Sequence, residues 1–355
     1  MAFPAPDLDR AHDPGHDVAR DRAAGLPAAA PALGGRVLVG TASWTDPTLL
    51  EGEIFYPADV RTPEARLRYY ATRFPLVEVD ATYYALPTRA TAELWRQRTP
   101  RDFTFNVKAH ALMTGQPSEV SRLPKLLREA LPSELAAKTR IYAKDLPPDL
   151  YDAVWAIFVD ALEPLRASGK LGAVLMQYPR WFTPTRANLD ALLDAQRRLA
   201  EAPGGALLGP VELRNHLWFD GRPERAERLF RFLADHEVPY VMVDGPRGLT
   251  SSVPPLAAVT SPRLAMLRLH GRRDATWEKP GVPTVERYRY LYDREQLESW
   301  IPAVEEAARS TARVHVLFNN CHGNYGTTNA IEFDALLREG GVNREGRNEK
   351  PERAG

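Results

Sequence analysis

Between residues 36 and 320 the chain repeats one pattern eight times: a short apolar run, then a polar stretch with helical spacing. The runs cover residues 36–43, 76–83, 103–110, 171–178, 206–214, 239–244, 263–270 and 313–320. Most are continuously apolar for several residues and then turn polar, as expected of parallel strands buried on both faces. The stretches between them carry helix punctuation. Thr62-Pro63 and Thr183-Pro184 each read as an N-cap followed by proline in the first turn. Leu189, Leu192, Leu193 and Leu199 form an apolar stripe at helical spacing, closed by Gly204-Gly205. Asp293 with Gln296 reads as a capping box, with Pro302 predicted to kink the helix that follows. Eight strands alternating with helices predict an α/β fold, a single (β/α)8 barrel of the TIM type. An open doubly wound sheet is the rival. No glycine fingerprint for NAD, FAD or a P-loop follows the first strand.

The ends and one connection break the pattern. Residues 1–35 are rich in Ala, Pro and Asp and are expected to form a disordered tail, because they offer little apolar surface to bury. Residues 342–355 read as a flexible tail, which leaves 36–341 for the barrel. The loop after the third strand is enlarged, with an insertion at 111–150. Short helices are expected there at 123–131 and 135–143, before a main helix at 151–165. A connection of that length serves as a lid, a partner surface or simple decoration.

Composition narrows the function classes. Among 355 residues, Lys plus Arg and Asp plus Glu both total 46, so the net charge is zero. That balance gives no global pull toward nucleic acid or an anionic membrane. A single cysteine, Cys321, excludes an intramolecular disulfide and fits a reducing compartment. With no long apolar run and four aspartates within the first 17 residues, the sequence predicts neither a membrane span nor a signal peptide. A cytoplasmic protein is expected.

Read in order, the strand ends are Gly40-Thr41-Ala42-Ser43-Trp44, then Glu78-Val79-Asp80-Ala81-Thr82-Tyr83-Tyr84, then Phe105-Asn106-Val107-Lys108. After these come Gln177-Tyr178-Pro179, Glu212-Leu213-Arg214, Asp244, Arg268-Leu269-His270-Gly271 and Phe318-Asn319-Asn320. In number and order this series resembles the YecE-like family, known as domain of unknown function 72. The resemblance covers about residues 36–340 and implies a TIM-barrel fold. It implies no particular reaction, since the family has none established. The chain departs from the family pattern at Asp80, where asparagine is common, and at Asn215-His216-Leu217-Trp218 after the fifth strand.

In such a barrel the polar residues that end strands converge on one pocket. Residues two apart on a strand share a face, so Glu78 points with Asp80, Glu212 with Arg214, and Arg268 with His270. Three functions compete. Metal-free acid–base or hydrolytic catalysis would use Glu212 or Asp244 as base and His270 or Lys108 as acid. In that scheme Arg214 and Arg268 hold an anionic or phosphorylated small substrate. A divalent metal held by Glu78, Glu212, Asp244 and His270 would suit nucleic-acid phosphodiester binding or cleavage, although no H-x-H or H-E-x-x-H spacing appears. The third is a ligand-binding barrel without chemistry. Glu212 has a structural alternative as well, as the buried counter-charge of Arg214.

The loop at 319–330 bears on the ligand. It runs from the eighth strand to a helix start, with Asn319, Asn320, two glycines and a hydroxyl-rich first turn, and predicts an anion site at 323–328 reinforced by Arg272 and Arg273. Trp44 and Tyr83 are candidates for stacking against the substrate.

Overall fold

The computed structural model describes residues 14–51, 54–219 and 223–348. All eight apolar runs form strands of one parallel sheet: β1 (Val37–Thr41), β2 (Leu76–Val79), β3 (Thr104–Lys108), β4 (Leu171–Gln177), β5 (Val211–Glu212), β6 (Val241–Asp244), β7 (Ala265–Leu269) and β8 (Val314–Phe318). Their order around the sheet is β5-β4-β3-β2-β1-β8-β7-β6. First and last strands meet in register, Val37 opposite Val314 and Thr41 opposite Phe318. β5 and β6 close the ring through a parallel bridge between Val211 and Tyr240 and the Val211 N–H donated to Pro239. The result is a nearly closed TIM-type barrel, as the alternation predicts.

Eight longer helices surround or cap it: α1 (Pro14–Ala23), α2 (Pro63–Arg73), α3 (Arg89–Gln97), α4 (Pro148–Ala161), α5 (Arg186–Ala200), α6 (Pro223–Asp235), α7 (Ile301–Ser310) and α8 (Tyr325–Asn348). Thr62 caps α2 by accepting from the Ala65 N–H, with Pro63 at the helix start. Asp293 and Gln296 form the expected capping box. Two local expectations shift. The N-cap of α5 is Thr185, two residues past Thr183. Pro302 kinks no continuous helix. It sits in the first turn of α7, where its missing N–H costs nothing, and a separate short helix ends before it at Glu298.

The insertion is ordered differently from its sequence pattern. Ser118–Glu119 pairs antiparallel with Arg140–Ile141, and the helices between are Lys125–Ala130 and Ser133–Ala136. The helix expected at 135–143 gives way to the returning strand of this ribbon.

The first 35 residues are not a loose tail where they are described. α1 packs against α8, with Ala19 fully buried. Arg22 pairs with Glu332 at 2.6 Å and donates to the Tyr292 carbonyl at 2.7 Å. Thr328 donates to the Ala19 carbonyl, and the His16 ring lies 5.2 Å from that of His322 and 5.5 Å from that of Tyr325. Docking thus relies on a few specific polar contacts rather than on an apolar stripe. At the other end α8 continues to Asn348, past the boundary expected at 341. Residues 1–13 and 349–355 lie outside the described chain.

Candidate functional site

The carboxyl ends of the strands carry a buried chain of charges centred on Arg268. This residue points inward from β7 and is fully enclosed. Its Nη2 meets Glu78 of β2 at 2.5 Å, and its Nη1 donates to Glu212 of β5 and to Gln177 of β4. Glu212 in turn takes Arg214 Nη1 at 2.8 Å and His270 Nε2 at 3.2 Å. The Asn319 amide nitrogen lies 2.8 Å from His270 Nδ1, so Nδ1 accepts and the imidazole proton sits on Nε2, facing Glu212. Five strands thereby contribute to one hydrogen-bonded string, and the co-facial pairs Glu212/Arg214 and Arg268/His270 both appear in it.

The two carboxyls flanking Arg268 are driven apart. Burial pushes Glu78 up to about 8, with Arg268 opposing and Asp80 adding to the rise. Burial also works against Glu212, but Arg268, His270 and Arg214 outweigh it and hold this carboxyl well below the usual range. Among the described residues Glu78 makes one ion pair, with Arg268, and its buried Oε2 has no hydrogen-bond partner. Burial holds His270 down to about 4 despite the pull of Glu212, so the ring is neutral. Lys108, beside Glu78, pairs with Asp80 at 3.4 Å and lies 4.9 Å above the Tyr83 ring. Burial disfavours its ammonium, yet Asp80 keeps it above its ordinary value. The Tyr83 hydroxyl donates to Gln116 of the insertion, whose amide nitrogen donates to the Gln177 carbonyl.

Three expected site residues lie elsewhere. Asp244 is not available as a base or metal ligand. Arg272 grips both its oxygens at 2.7–2.8 Å, and Tyr292 and Trp300 donate to them as well. Asn320 locks the loop after β8 by donating to Tyr290 and Asn329. Trp44 is buried against Trp95 in the barrel wall. The metal arrangement also fails on geometry. A guanidinium stands between Glu78 and Glu212, and among the described residues no three His, Cys, Asp or Glu side chains gather to hold an ion.

The anion site expected at 323–328 is roofed over. The Gly323 N–H donates to Thr48, and α1 covers the turn with its His16 and Ala19 carbonyls, which accept from Asn324 and Thr328. Arg272 is committed to Asp244, and Arg273 pairs with Glu286 at 3.3 Å. Open space lies instead beside Arg214, in a cleft of about 460 Å³ walled by Tyr178, Trp181, Trp277 and Tyr288 and reached by Gln116 and Gln177. The Arg214 guanidinium is 4.8 Å from the Trp277 ring centre and its side chain is 13% exposed. Arg180 and Arg287 join it around the cleft, against one carboxylate, Glu278, which already accepts from the Ser251 N–H. Trp181 and Trp277 belong to the set of aromatics near this face that the sequence offers for stacking. Sequence reasoning missed Gln116, Gln177 and Tyr288 as site residues, and of these Gln177 carried a signal, as the polar residue ending the β4 run.

With the fold and strand-end cluster in place, comparison with known proteins assigns the family. The model for "Protein of unknown function DUF72" matches residues 38–354. The chain belongs to the DUF72 family. This is the YecE-like family suggested by the strand-end motifs. UPF0759 protein YunF of Bacillus subtilis (strain 168) is 29% identical over 304 residues, covering 85% of this chain and 94% of its own length. A DUF72 family crystal structure from Thermotoga maritima MSB8 superposes with a TM-score of 0.65 at 27% identity, covering 85% of this chain and 99% of that one. One from Enterococcus faecalis V583 gives a TM-score of 0.65 at 25% identity, covering 85% and 95%. No helix among the described residues of this DUF72 chain is long and apolar enough to cross a membrane.

Proposed function

We propose that this DUF72 barrel is an enzyme that holds a small anionic substrate in the Arg214 cleft and acts on it by proton transfer. The observation that carries the proposal is the disposition of Arg214. Among the described residues its side chain donates to Glu212 through Nη1, which leaves the rest of the guanidinium edge beside Trp277 at the cleft. A planar cation with open N–H groups, backed by the buried Glu212, suits a carboxylate or phosphate. The cleft's three arginines and single engaged carboxylate favour the same ligand charge. Support for proton transfer comes from Glu78 and Glu212. Two carboxyls whose environments push them to opposite protonation states are a frequent basis for acid–base assignments.

A metal-assisted phosphodiesterase has less support, because its ligand set is not assembled. A screen of phosphorylated and carboxylated metabolites by thermal shift, run beside Arg214→Gln, tests the proposal. Stabilising compounds should lose most of their effect in the variant, and the best of them should be turned over by the wild type. Compounds that stabilise both proteins equally would place the ligand elsewhere. Tight binding without turnover would leave a binding barrel.

A further inference from the structure

Of the seven tryptophans in the chain, six are packed away and one is not. The six are between 3% and 9% exposed, whereas Trp181 is 53% exposed. It lies just past β4, on the wall of the cleft that holds Arg214. Among the described residues its indole has no stacked ring, no cation over it and no hydrogen-bond partner. An indole left in water forgoes the apolar burial that the other six obtain, and at the lip of a pocket that cost is offset once a ligand covers it.

The rest of the wall has the same character. Its apolar part consists of Tyr178, Trp181, Trp277, Tyr288 and two prolines, with no Leu, Ile, Val or Met among them. Three of the four rings are engaged by the protein. Tyr178 stacks on Phe182 at 4.0 Å, Tyr288 meets Trp277 edge-on at 5.4 Å, and the Arg214 guanidinium lies over Trp277. Trp181 is the ring still on offer, and aromatic faces take flat π-systems in preference to irregular aliphatic groups.

The charge of the lining sets the other half of the ligand. Arg180 and Arg287 make no ion pair among the described residues, and Arg287 Nε is buried without a hydrogen-bond partner. Three guanidiniums face one carboxylate, Glu278, so a doubly charged head such as a phosphate monoester matches best. A sugar would ask this wall for uncommitted hydrogen-bond groups. Gln116 instead spends its amide on Thr114, Gln177 and Tyr83, and Glu278 already accepts from the Ser251 N–H.

Resting on the reading of the Arg214 cleft as an anion site, we propose that its substrate is a small anion that carries an aromatic ring. The anionic head sits among the arginines, and the ring stacks on Trp181. A cleft of about 460 Å³ lies within the usual size range for a ligand of this kind.

The test is calorimetric titration of the full chain with three phosphate monoesters of equal charge: methyl, cyclohexyl and phenyl phosphate. Phenyl phosphate should bind about tenfold more tightly than methyl phosphate, as expected for one stacked ring, and more tightly than its saturated cyclohexyl counterpart. Trp181→Ala should bring phenyl phosphate down to the methyl level while leaving methyl phosphate unchanged, and Trp181→Phe should retain most of the preference. Trp181 is exposed, so both variants should keep the wild-type melting temperature. Arg214→Gln should weaken all three esters. Equal affinity for phenyl and cyclohexyl phosphate, or a phenyl preference that survives Trp181→Ala, would overturn the aromatic assignment and leave the anion site standing. Binding of none of the three, or binding indifferent to Arg214→Gln, would overturn the anion site and this inference with it.

Discussion

Glu78 and Glu212 are both buried, both end barrel strands and both bind the same guanidinium, yet they are held in opposite states. Glu212 gathers Arg268, Arg214 and the His270 N–H, while Glu78 pairs directly with Arg268, feels Lys108 only at longer range, and has one carboxyl oxygen facing no donor among the described residues. Burial disfavours both carboxylates, so the donors and charges gathered around each decide which one ionises. A strand-end carboxylate therefore takes its role from its partners rather than from its position. Asp244 shows the same from a third direction, since three side chains enclose it with four hydrogen bonds and none of them borders the cleft.

The largest expected effect is on Glu212. Glu212→Gln leaves Arg268 with a single acidic partner and Arg214 without one, and should destabilise the fold by about 3–5 kcal/mol. Urea unfolding beside wild type would measure this, and a change below ~1 kcal/mol would end the contrast between the two residues. Glu78→Gln should be far milder at neutral pH, because glutamine imitates the protonated acid that burial already favours. A loss as steep as that of Glu212→Gln would mean that Glu78 is ionised in the native state.

A smaller effect lies in the pH profile. Folded Glu78 keeps its proton up to about 8, whereas the unfolded chain releases it near 4.5. Over that interval the folded state binds more protons, so this residue makes stability fall as pH rises through the window. Glu78→Gln should remove that slope and leave the acid limb unchanged, since Glu212 governs it. The finest readout is infrared. A protonated-carboxyl band present in the wild type near neutral pH should vanish in Glu78→Gln and persist in Glu212→Gln.

The barrel was legible in the sequence because every strand is an apolar run of its own, bounded by residues that cap or break. The site was legible only as a set of strand ends. Alternation correctly put Arg268 and His270 on one face, but no spacing along β7 could show that Arg268 is enclosed by Glu78 and Glu212, 190 and 56 residues away. Asp244 looked available because its donors Arg272, Tyr292 and Trp300 lie 28 to 56 residues further along. α1 was unreadable for the same reason. Its polar, Ala-rich pattern is uninformative without Glu332 and Thr328, which anchor it from the far end of the chain.

The pairing of β1 with β8 also has a consequence during synthesis. Val37 lies opposite Val314, so the first strand to leave the ribosome waits for about 280 further residues before its outer hydrogen bonds can form. At ordinary elongation rates that is roughly 15–55 s, during which the growing β1–β4 sheet presents β1 as an open, apolar edge. The nascent protein is therefore most exposed to misassociation late in translation, and a trigger-type holdase should improve its soluble yield more than any change to the finished barrel.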